Sequence, residues 1–397
     1  MPRSSKTPLA WKNLTHDWRR LAAAIAGIGF AVLLMFTQVG FQNALFDSQV
    51  KIIDDLQGDI FLVSKAKYTL AAEKRFSISR IHQARSCSGV SGAYPLYSEL
   101  TTSVLRKMEQ GKGNRGYPLR SLGFQLGDPI FKSKDIQQNL DLLRQPSTAL
   151  IDKKSKSKKF GISLKKSANL AQNTLELANK RLTLVGTFNL GTDFAHDGNL
   201  VMSSENFARY FPLRMRFGDP LSVVDVGIIH VQKGFSPKDV QQVLKKTLDD
   251  DVLVLTRDTF RADEIKFWDK STPIGTIFLA GTLIGFVVGM VICYQVIYSD
   301  IAEHMPEFAT LKAMGYKTSY FFRLIVVEAL LLSVIGFVPA VIASRLIYEW
   351  LAGQTGLLMQ MTPTGIAYIF AMTVGMCVVS GLLAVRKLLA ADPASLF

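Results

Sequence analysis

Four long apolar segments constrain the fold of this chain more than any other feature. They are Leu21–Gly40, Pro273–Tyr298, Leu324–Ser344 and Thr364–Val385. A helix needs about 20 apolar residues to cross the hydrocarbon core of a bilayer, and each segment has that length. The sequence therefore predicts four transmembrane helices: TM1 over 21–41, TM2 over 273–298, TM3 over 324–346 and TM4 over 364–385.

Composition predicts that a large soluble domain accompanies these helices. The chain has 397 residues, of which 48% are hydrophobic, and a formal net charge of +14. It is too apolar for an ordinary soluble protein and too charged for one made only of membrane helices. Strand-like runs alternate with helical stretches between TM1 and TM2, at Gly58–Val63, Arg181–Phe188, Val223–Val231 and Asp251–Thr256. The predicted fold class is an α-helical membrane protein with four transmembrane helices plus a large mixed α/β periplasmic domain, residues 42–272, inserted between helices 1 and 2.

Basic residues next to the spans predict the orientation. They are Arg3, Lys6, Lys12, Arg19 and Arg20 before TM1, Lys312, Lys317 and Arg323 between TM2 and TM3, and Arg386 and Lys387 after TM4. Four spans place all three groups on one side, which we expect to be cytoplasmic. The N-terminal segment 1–20, the loop 299–323 and the tail 386–397 are then cytoplasmic, and 347–363 is a short periplasmic loop. The first span reads as an uncleaved anchor in the plasma (inner) membrane, because its apolar run is longer than a signal-peptide core.

Helix signals occur inside the soluble domain and at both of its ends. Ser236 and Pro237 fit the N-cap and first position of a helix with Val240, Val243 and Leu244 on its inner face. Helical spacing of Leu45, Gln49, Ile52, Ile53 and Leu56 extends TM1 outward. Before TM2, Thr259 is a candidate N-cap and Trp268 a candidate interfacial residue. The two end segments form either a helical stalk or ordinary linkers, and periodicity does not separate these alternatives.

No motif for catalysis, metal binding or nucleotide binding stands out. Cys87, Cys293 and Cys377 lack metal-ligand spacing, and the five histidines are scattered. No GxxxxGK[ST] loop is present, so we assign no catalytic residue, no metal and no cofactor to this chain. The Lys-rich segment 153–166 reads as a solvated loop or as a contact for anionic headgroups.

Two features lie inside the predicted spans. Gly281, Gly285 and Gly289 form a doubled GxxxG in TM2, which reflects either the general glycine frequency of membrane helices or a packing seam with TM1 or a second subunit. Glu328 is an intramembrane carboxylate, and such residues carry a functional hypothesis by default. Pairing with Arg323 or a neighbouring loop is its expected role.

The loop between TM2 and TM3 predicts a short capped helix. Pro306 suits the first helical position, Glu307 and Lys312 match the helix dipole, and Gly315 ends the helix. A helix of roughly nine residues is not stable alone. Its small-residue strip, Ala309 and Ala313, suits a docking surface, and contact with lipid headgroups is the alternative.

Three segments carry a resemblance to a known family. The sequence "EFATLKAMGY" resembles the cytoplasmic coupling helix of FtsX/MacB-type ABC transporter permeases, with Ala309 where Gly is frequent. "VVEALLLSVIGF" resembles the start of their third span, and "DPASLF" resembles their C-terminal ending. Phe267–Tyr316, Ala149–Gly161 and Val185–Phe211 are similar to the DevC branch, the permeases of heterocyst-type glycolipid exporters.

The resemblance implies a function that the residues alone do not. It implies a permease, not itself an enzyme, that transmits conformational change (mechanotransmission) from a separate cytoplasmic ATPase, which binds ATP and Mg, to the periplasmic domain. The implied partners are that DevA/MacB-type ATPase, a periplasmic adaptor (membrane-fusion protein), a TolC-like outer-membrane channel, membrane lipid and a second copy or a sister permease; nucleic acid is not among them. The implied coupling helix comprises Glu307, Phe308, Ala309, Thr310, Leu311, Lys312, Ala313, Met314, Gly315 and Tyr316. The implied cargo is a glycolipid or other amphiphile. The alternative is an FtsX-like regulator of a periplasmic partner that transports nothing.

Overall fold

The computed structural model describes residues 17–107, 115–156, 159–160, 162, 164, 175–193, 196–215, 218–355, 357 and 359–389. The chain separates into two compact units. The sheet unit comprises Ala44–Thr272 with Gly353–Leu358, and the helical unit comprises Met1–Asn43, Pro273–Ala352 and Met359–Phe397.

The first helix, α1, spans Trp18–Asp55 without a break. Asp17 caps its start, because the carboxylate accepts hydrogen bonds from the backbone N–H of Arg19 and Arg20, at 3.0 and 3.3 Å. At 1.5 Å per residue the helix is about 57 Å long, well beyond the length that a membrane span needs. Its residues from Ala44 onward belong to the sheet unit.

The sheet unit contains strands and short helices in a mixed order. The strands are β1 Ile60–Ser64, β2 Phe76–Ser77, β3 Val90–Glu99, β4 Val104–Lys107, β5 Tyr117–Pro118, β6 Arg120–Phe124, β7 Thr148–Asp152, β8 Leu175–Leu177, β9 Lys180–Phe188, β10 Asn199–Ser203, β11 Val223–Val224, β12 Val226–Val231 and β13 Val252–Thr256. The helices are α2 Ser79–Arg85, α3 Lys134–Gln138, α4 Leu140–Leu143, α5 Ser204–Tyr210, α6 Pro237–Thr247 and α7 Arg257–Lys266.

Eleven of these strands form one sheet in the order β13-β1-β12-β3-β6-β10-β7-β9-β8-β4-β5, and β11 pairs with β2 separately. The β6–β10 and β7–β9 pairs are parallel, and the other pairs are antiparallel. The predicted mixed α/β domain is therefore confirmed at the level of fold class.

Apolar side chains fill both faces of the sheet. Along β1, Ile60 and Leu62 join one buried cluster, and Phe61 and Val63 join another, as the alternation of side chains along a strand requires. Helices α2, α5 and α6 contribute to the first cluster. The end of α1, with α3, α4 and α7, contributes to the second. The apolar residues of the second cluster include Val50, Ile53 and Leu56, so the end of α1 is part of the folded core.

Three local predictions for this unit need correction. The predicted strand 223–231 is interrupted at Asp225, whose buried carboxylate accepts a hydrogen bond from the Ser98 N–H at 2.8 Å. Ser236 caps α6 as predicted, but Val243 is 38% exposed, because only Val240 and Leu244 point into the core. The N-cap of α7 is Thr256 and not Thr259; its hydroxyl accepts from the Thr259 N–H.

The helical unit continues with α8 Pro273–Glu303, α9 Met305–Ala313, α10 Thr318–Thr355 and α11 Pro363–Leu389. Within the described residues, four helices are long and apolar enough to cross a membrane: α1, α8, α10 and α11. The helix α10 starts before and ends after the predicted TM3 and continues through Pro339. The connection from α10 to α11 is therefore shorter than the predicted loop 347–363.

Candidate coupling and transmission site

The short helix α9 has the termination that the sequence predicts. Gly315 has a φ of +92°, in the left-handed region that favours glycine. The Tyr316 N–H donates to the Leu311 carbonyl at 3.2 Å, and the Met314 N–H donates to the Thr310 carbonyl at 3.0 Å. The bond from Tyr316 closes a Schellman motif around Gly315. The chain then enters α10 at Thr318, so α9 is a separate helix between α8 and α10.

The structure describes the side chains of only some of the predicted coupling-helix residues. Those of Phe308, Ala309, Lys312 and Ala313 lie outside the described residues, as do the "DPASLF" ending and the first sixteen residues. Glu307, Met314 and Tyr316 are exposed. The Glu307 carboxylate lies 3.5 Å from Nδ1 of His304, the residue between α8 and α9.

Charged residues cluster where α8 ends and α9 begins. Arg20 of α1 forms an ion pair with Glu303 and lies 4.0 Å from Asp300. His304 Nε2 is also 4.0 Å from Asp300. Asp300 is 7% exposed, and the other residues of the cluster lie closer to solvent. An ion pair between Arg20 and Glu303 therefore joins the first turn of α1 to the last turn of α8.

The expected pairing of Glu328 with Arg323 is wrong. Arg323 is exposed, whereas Glu328 is 2% exposed and lines a small cavity together with Asp300 of α8. Five helical positions turn about 500°, or 140° beyond a full turn, so the two residues face different sides of α10. Asp300 was not singled out from the sequence, because it lies just past the end of the predicted TM2.

The three glycines of α8 face neighbouring helices of the same chain. A methyl group at Gly281 would lie 2.5 Å from Gln38 Cδ, and one at Gly285 would lie 3.0 Å from Met35 Cγ, both on α1. At Gly289 it would lie 2.8 Å from Ala31 Cβ and 2.5 Å from Met376 Sδ of α11. The glycines thus allow close approach of helices within one copy.

We expect Gly289→Leu to destabilise the helical unit by about 1–3 kcal/mol, because the added side chain cannot fit between α1 and α11. Unfolding of the purified chain in lipid nanodiscs measures this change. Gly375→Leu is the matched control, because a methyl group at Gly375 has no neighbouring atom within 4 Å. Equal stability of the two variants would show that the seam is not tightly packed.

In the sheet unit, one guanidinium holds the end of α1. Arg257, the first residue of α7, donates to the carbonyls of Ile53, Leu56 and Gly58, at 2.6, 2.7 and 2.6 Å. The last carbonyls of a helix have no partner inside the helix, and here Arg257 supplies it. The guanidinium also lies 5.4 Å from the Phe61 ring centroid, over β1. Arg257 therefore joins the end of α1, the start of α7 and β1.

The other end of α7 is fixed by Glu264, which is 3% exposed. Its carboxylate accepts from the Thr69 hydroxyl at 2.6 Å, the Leu70 N–H at 2.9 Å and the Trp268 indole N–H at 2.8 Å. A π-helical turn, Phe267–Ser271, follows α7, and Thr272 is extended before Pro273 begins α8. The segment before TM2 is thus helical, but α7 and α8 are not one continuous helix.

A buried ion pair elsewhere in the sheet unit predicts acid sensitivity. Burial alone would raise the pKa of Asp193, but Arg120 and His196 outweigh it and hold that pKa at about 2. Because the pKa of Asp193 is lower in the folded chain than its ordinary value of 3.8, the ionised carboxylate stabilises the fold at pH values above 3.8. This stabilisation is lost as the pH falls through the folded-state pKa. We expect a loss of about 2 kcal/mol of stability between these two values.

Equilibrium unfolding of the full chain across that pH range, followed by circular dichroism, measures the loss. Asp193→Asn should flatten the pH dependence in this window and lower stability at neutral pH, because it leaves Arg120 buried without its partner. Asp141→Asn is the control, because the Asp141 side chain is 95% exposed. An unchanged acid slope in Asp193→Asn would contradict the assignment.

Comparison with known proteins adds one family match. Residues 276–393 match the model described as FtsX-like permease C-terminal. The matched segment includes nearly all of α8, α9, α10 and α11. No curated protein sequence matches the chain significantly.

Two solved structures are among those similar to this chain. The periplasmic region of MacB from Actinobacillus actinomycetemcomitans is 12% identical, with a TM-score of 0.34, over 55% of this chain and 96% of that one. The extracellular domain of the noncanonic ABC-type transporter YknZ from Gram-positive bacteria is 12% identical, with a TM-score of 0.33, over 50% of this chain and 99% of that one. Scores at this level carry no functional argument. The family match, which lies on the helices around α9, shows that residues 276–393 form a segment similar to the C-terminal part of FtsX-like permeases.

Proposed function

We propose that this chain is the permease subunit of a tripartite ABC exporter of the MacB/DevC type. The observation that carries the proposal is the match of residues 276–393 to FtsX-like permeases, with the separate helix α9 inside the matched segment. A helix of nine residues gains its stability from what it packs against. In this proposal α9 binds a separate cytoplasmic ATPase, which contributes ATP and Mg.

The proposed arrangement places α1, α8, α10 and α11 across the plasma (inner) membrane. Both termini and α9 are cytoplasmic, and the sheet unit is periplasmic. Two copies of the chain, or one copy with a sister permease, bind two ATPase subunits. An adaptor and a TolC-like channel complete the path for a glycolipid or other amphiphile, as the DevC resemblance suggests.

The contacts within each unit support a mechanical role. Arg20 holds the first turn of α1 near the end of α8, and only His304 separates α8 from α9. The other end of α1 is held by Arg257. In this proposal α1, which begins in the helical unit and ends in the sheet unit, carries movement from one unit to the other.

Purification of the tagged chain from native membranes with mild cross-linking tests the proposal. We expect an ABC ATPase, an adaptor and a TolC-like channel in the complex. An ATPase with a periplasmic hydrolase or other effector, and with no adaptor or channel, would favour the FtsX-like regulator. A complex without any ATPase would contradict both functions. Labelling of Lys312→Cys from the periplasmic side would also contradict the proposed orientation.

A further inference from the structure

Three aromatic side chains form one cluster next in sequence to α8. The ring centroid of Tyr68 lies 5.3 Å from that of Phe267, and the centroid of Phe267 lies 5.4 Å from that of Trp268. Phe267 and Trp268 belong to the π-helical turn before α8, whereas Tyr68 lies about 200 positions earlier, in the loop 65–75 between β1 and β2. Tyr68 is 63% exposed, and the other two residues are half-buried. The cluster therefore brings a distant loop to the turn that leads into α8.

One buried carboxylate fixes both parts of this cluster. Glu264 accepts hydrogen bonds from the Thr69 hydroxyl, the Leu70 N–H and the Trp268 indole N–H. The first two groups belong to the residues that directly follow Tyr68, and the third belongs to the cluster itself. Hydrogen bonds to an ionised acceptor are stronger than those between neutral groups. Tyr68 is thus exposed on a loop that the fold holds in place.

The chain itself limits how far the cluster can lie from α8. Trp268 precedes Pro273, the first residue of α8, by five positions. Residues 267–271 form a helical turn, which advances slowly along its axis, and Thr272 is extended. The Cα atoms of Trp268 and Pro273 are therefore at most about 12 Å apart.

Exposed apolar side chains begin close to the start of α8. Ile277, Leu279, Leu283 and Ile284 are between 50% and 62% exposed. In the proposed function this helix crosses the membrane, and these side chains face lipid. The headgroup layer on each side of the hydrocarbon core is about 5–8 Å deep, so the turn before α8 falls at its level. Tryptophan and tyrosine are enriched there, because each has an apolar ring and a group that forms hydrogen bonds.

We propose that Tyr68, together with Trp268 and the loop 65–75, contacts the headgroup region of the periplasmic leaflet. The partner is a phospholipid surface: the Tyr68 ring packs against the upper acyl chains, and its hydroxyl bonds to headgroup or glycerol oxygens. The sheet unit then has a membrane contact that is separate from its chain connections to α1 and α8. The inference rests on the proposed function in one respect, which is that α8 crosses the membrane with the sheet unit outside.

Tryptophan fluorescence in lipid nanodiscs tests this contact. The full chain carries Tyr68→Trp, and its four native tryptophans are replaced by phenylalanine. Bromine atoms on acyl chains quench a nearby indole, so the nanodiscs contain phospholipids brominated either close to the headgroup or near the bilayer centre. We expect shallow bromines to quench position 68 strongly and deep bromines to quench it weakly. A second chain keeps Trp268 as its single tryptophan and leaves Tyr68 unchanged, and we expect the same order of quenching from it.

Two reference positions make the result specific. Ile284→Trp, at a 62% exposed position on α8, should be quenched most by the deep bromines. Phe235→Trp, at a 48% exposed position, should not be quenched. Phe235 follows β12, and the His230 side chain of that strand bonds to the Gln57 carbonyl just past the end of α1. That end of α1 lies about 20 Å beyond the predicted TM1 along the helix axis.

The outcomes separate this inference from the proposed function. Equal emission of Tyr68→Trp in brominated and unbrominated lipid, with Ile284→Trp quenched, would overturn the inference and leave the membrane arrangement intact. Quenching of neither position would contradict the crossing of α8 itself. Emission from Tyr68→Trp that is blue-shifted but insensitive to bromine would assign the rings to a protein neighbour, such as a second copy of the chain, and would also overturn the inference.

Discussion

Tryptophan at both Ala309 and Ala313 is expected to release the ATPase from the permease and to abolish export. Alanines four residues apart share one face of α9, so two indole rings there would hold a docked surface away. Overpacking of a close-fitting contact costs about 1–3 kcal/mol for each side chain, which corresponds to at least a tenfold weaker complex. ATPase retained on immobilised permease, together with ATP-driven export, measures the effect.

The matched control is Ala280→Trp, an exposed position on α8 outside α9. We expect this variant to insert, to bind the ATPase and to export as the unmodified chain does. Size-exclusion chromatography of all variants separates loss of docking from loss of folding. Full export with tryptophan at both Ala309 and Ala313 would exclude docking on this face of α9.

Local signals in the sequence predicted the local structure well. Ser236 with Pro237 at the start of α6, and Gly315 at the end of α9, act through hydrogen bonds within a few residues of the chain. Apolar length alone located all four long helices, because a bilayer demands about 20 apolar residues. These features depend on neighbours that the sequence already places side by side.

Contacts between distant residues were not predictable in this way. Glu328 was noticed because a charge inside an apolar run is rare, but Asp300, which lines the same cavity, is 28 positions away and lies on another helix. Arg257 lies about 200 positions from the carbonyls that it binds. The polar sequence around it reads as an ordinary helix start. The placement of Glu328 near Asp300 depends on how α8, α10 and α1 pack, and the hydrogen bonds of Arg257 depend on the fold of the sheet unit. Neither depends on a regular spacing of residues along the sequence, so neither leaves a periodic signal.

The last prediction concerns Arg257. Replacement with methionine keeps most of the volume but leaves three buried carbonyl acceptors without a donor, which we expect to cost about 3 kcal/mol of stability in the sheet unit. The end of α1 should then lose protection of its backbone N–H groups. Hydrogen–deuterium exchange of residues 47–62 in the full chain measures this loss directly. If α1 transmits movement, export should fall in the assembled complex while the ATPase continues to hydrolyse ATP.

Two further variants make the interpretation specific to the guanidinium. Arg257→Lys keeps the charge, but a single ammonium cannot match the fixed geometry of a guanidinium that reaches three carbonyls, so we expect an intermediate loss of protection. Arg261→Met, one turn later on α7, removes only exposed pairs with Asp47 and Asp54 and should cost less than about 1 kcal/mol. If Arg257→Met exchanges no faster than Arg261→Met, Arg257 does not hold α1. If it exchanges faster but export is unchanged, α1 is anchored there without transmitting movement, and the mechanical part of the proposal fails while the docking part stands.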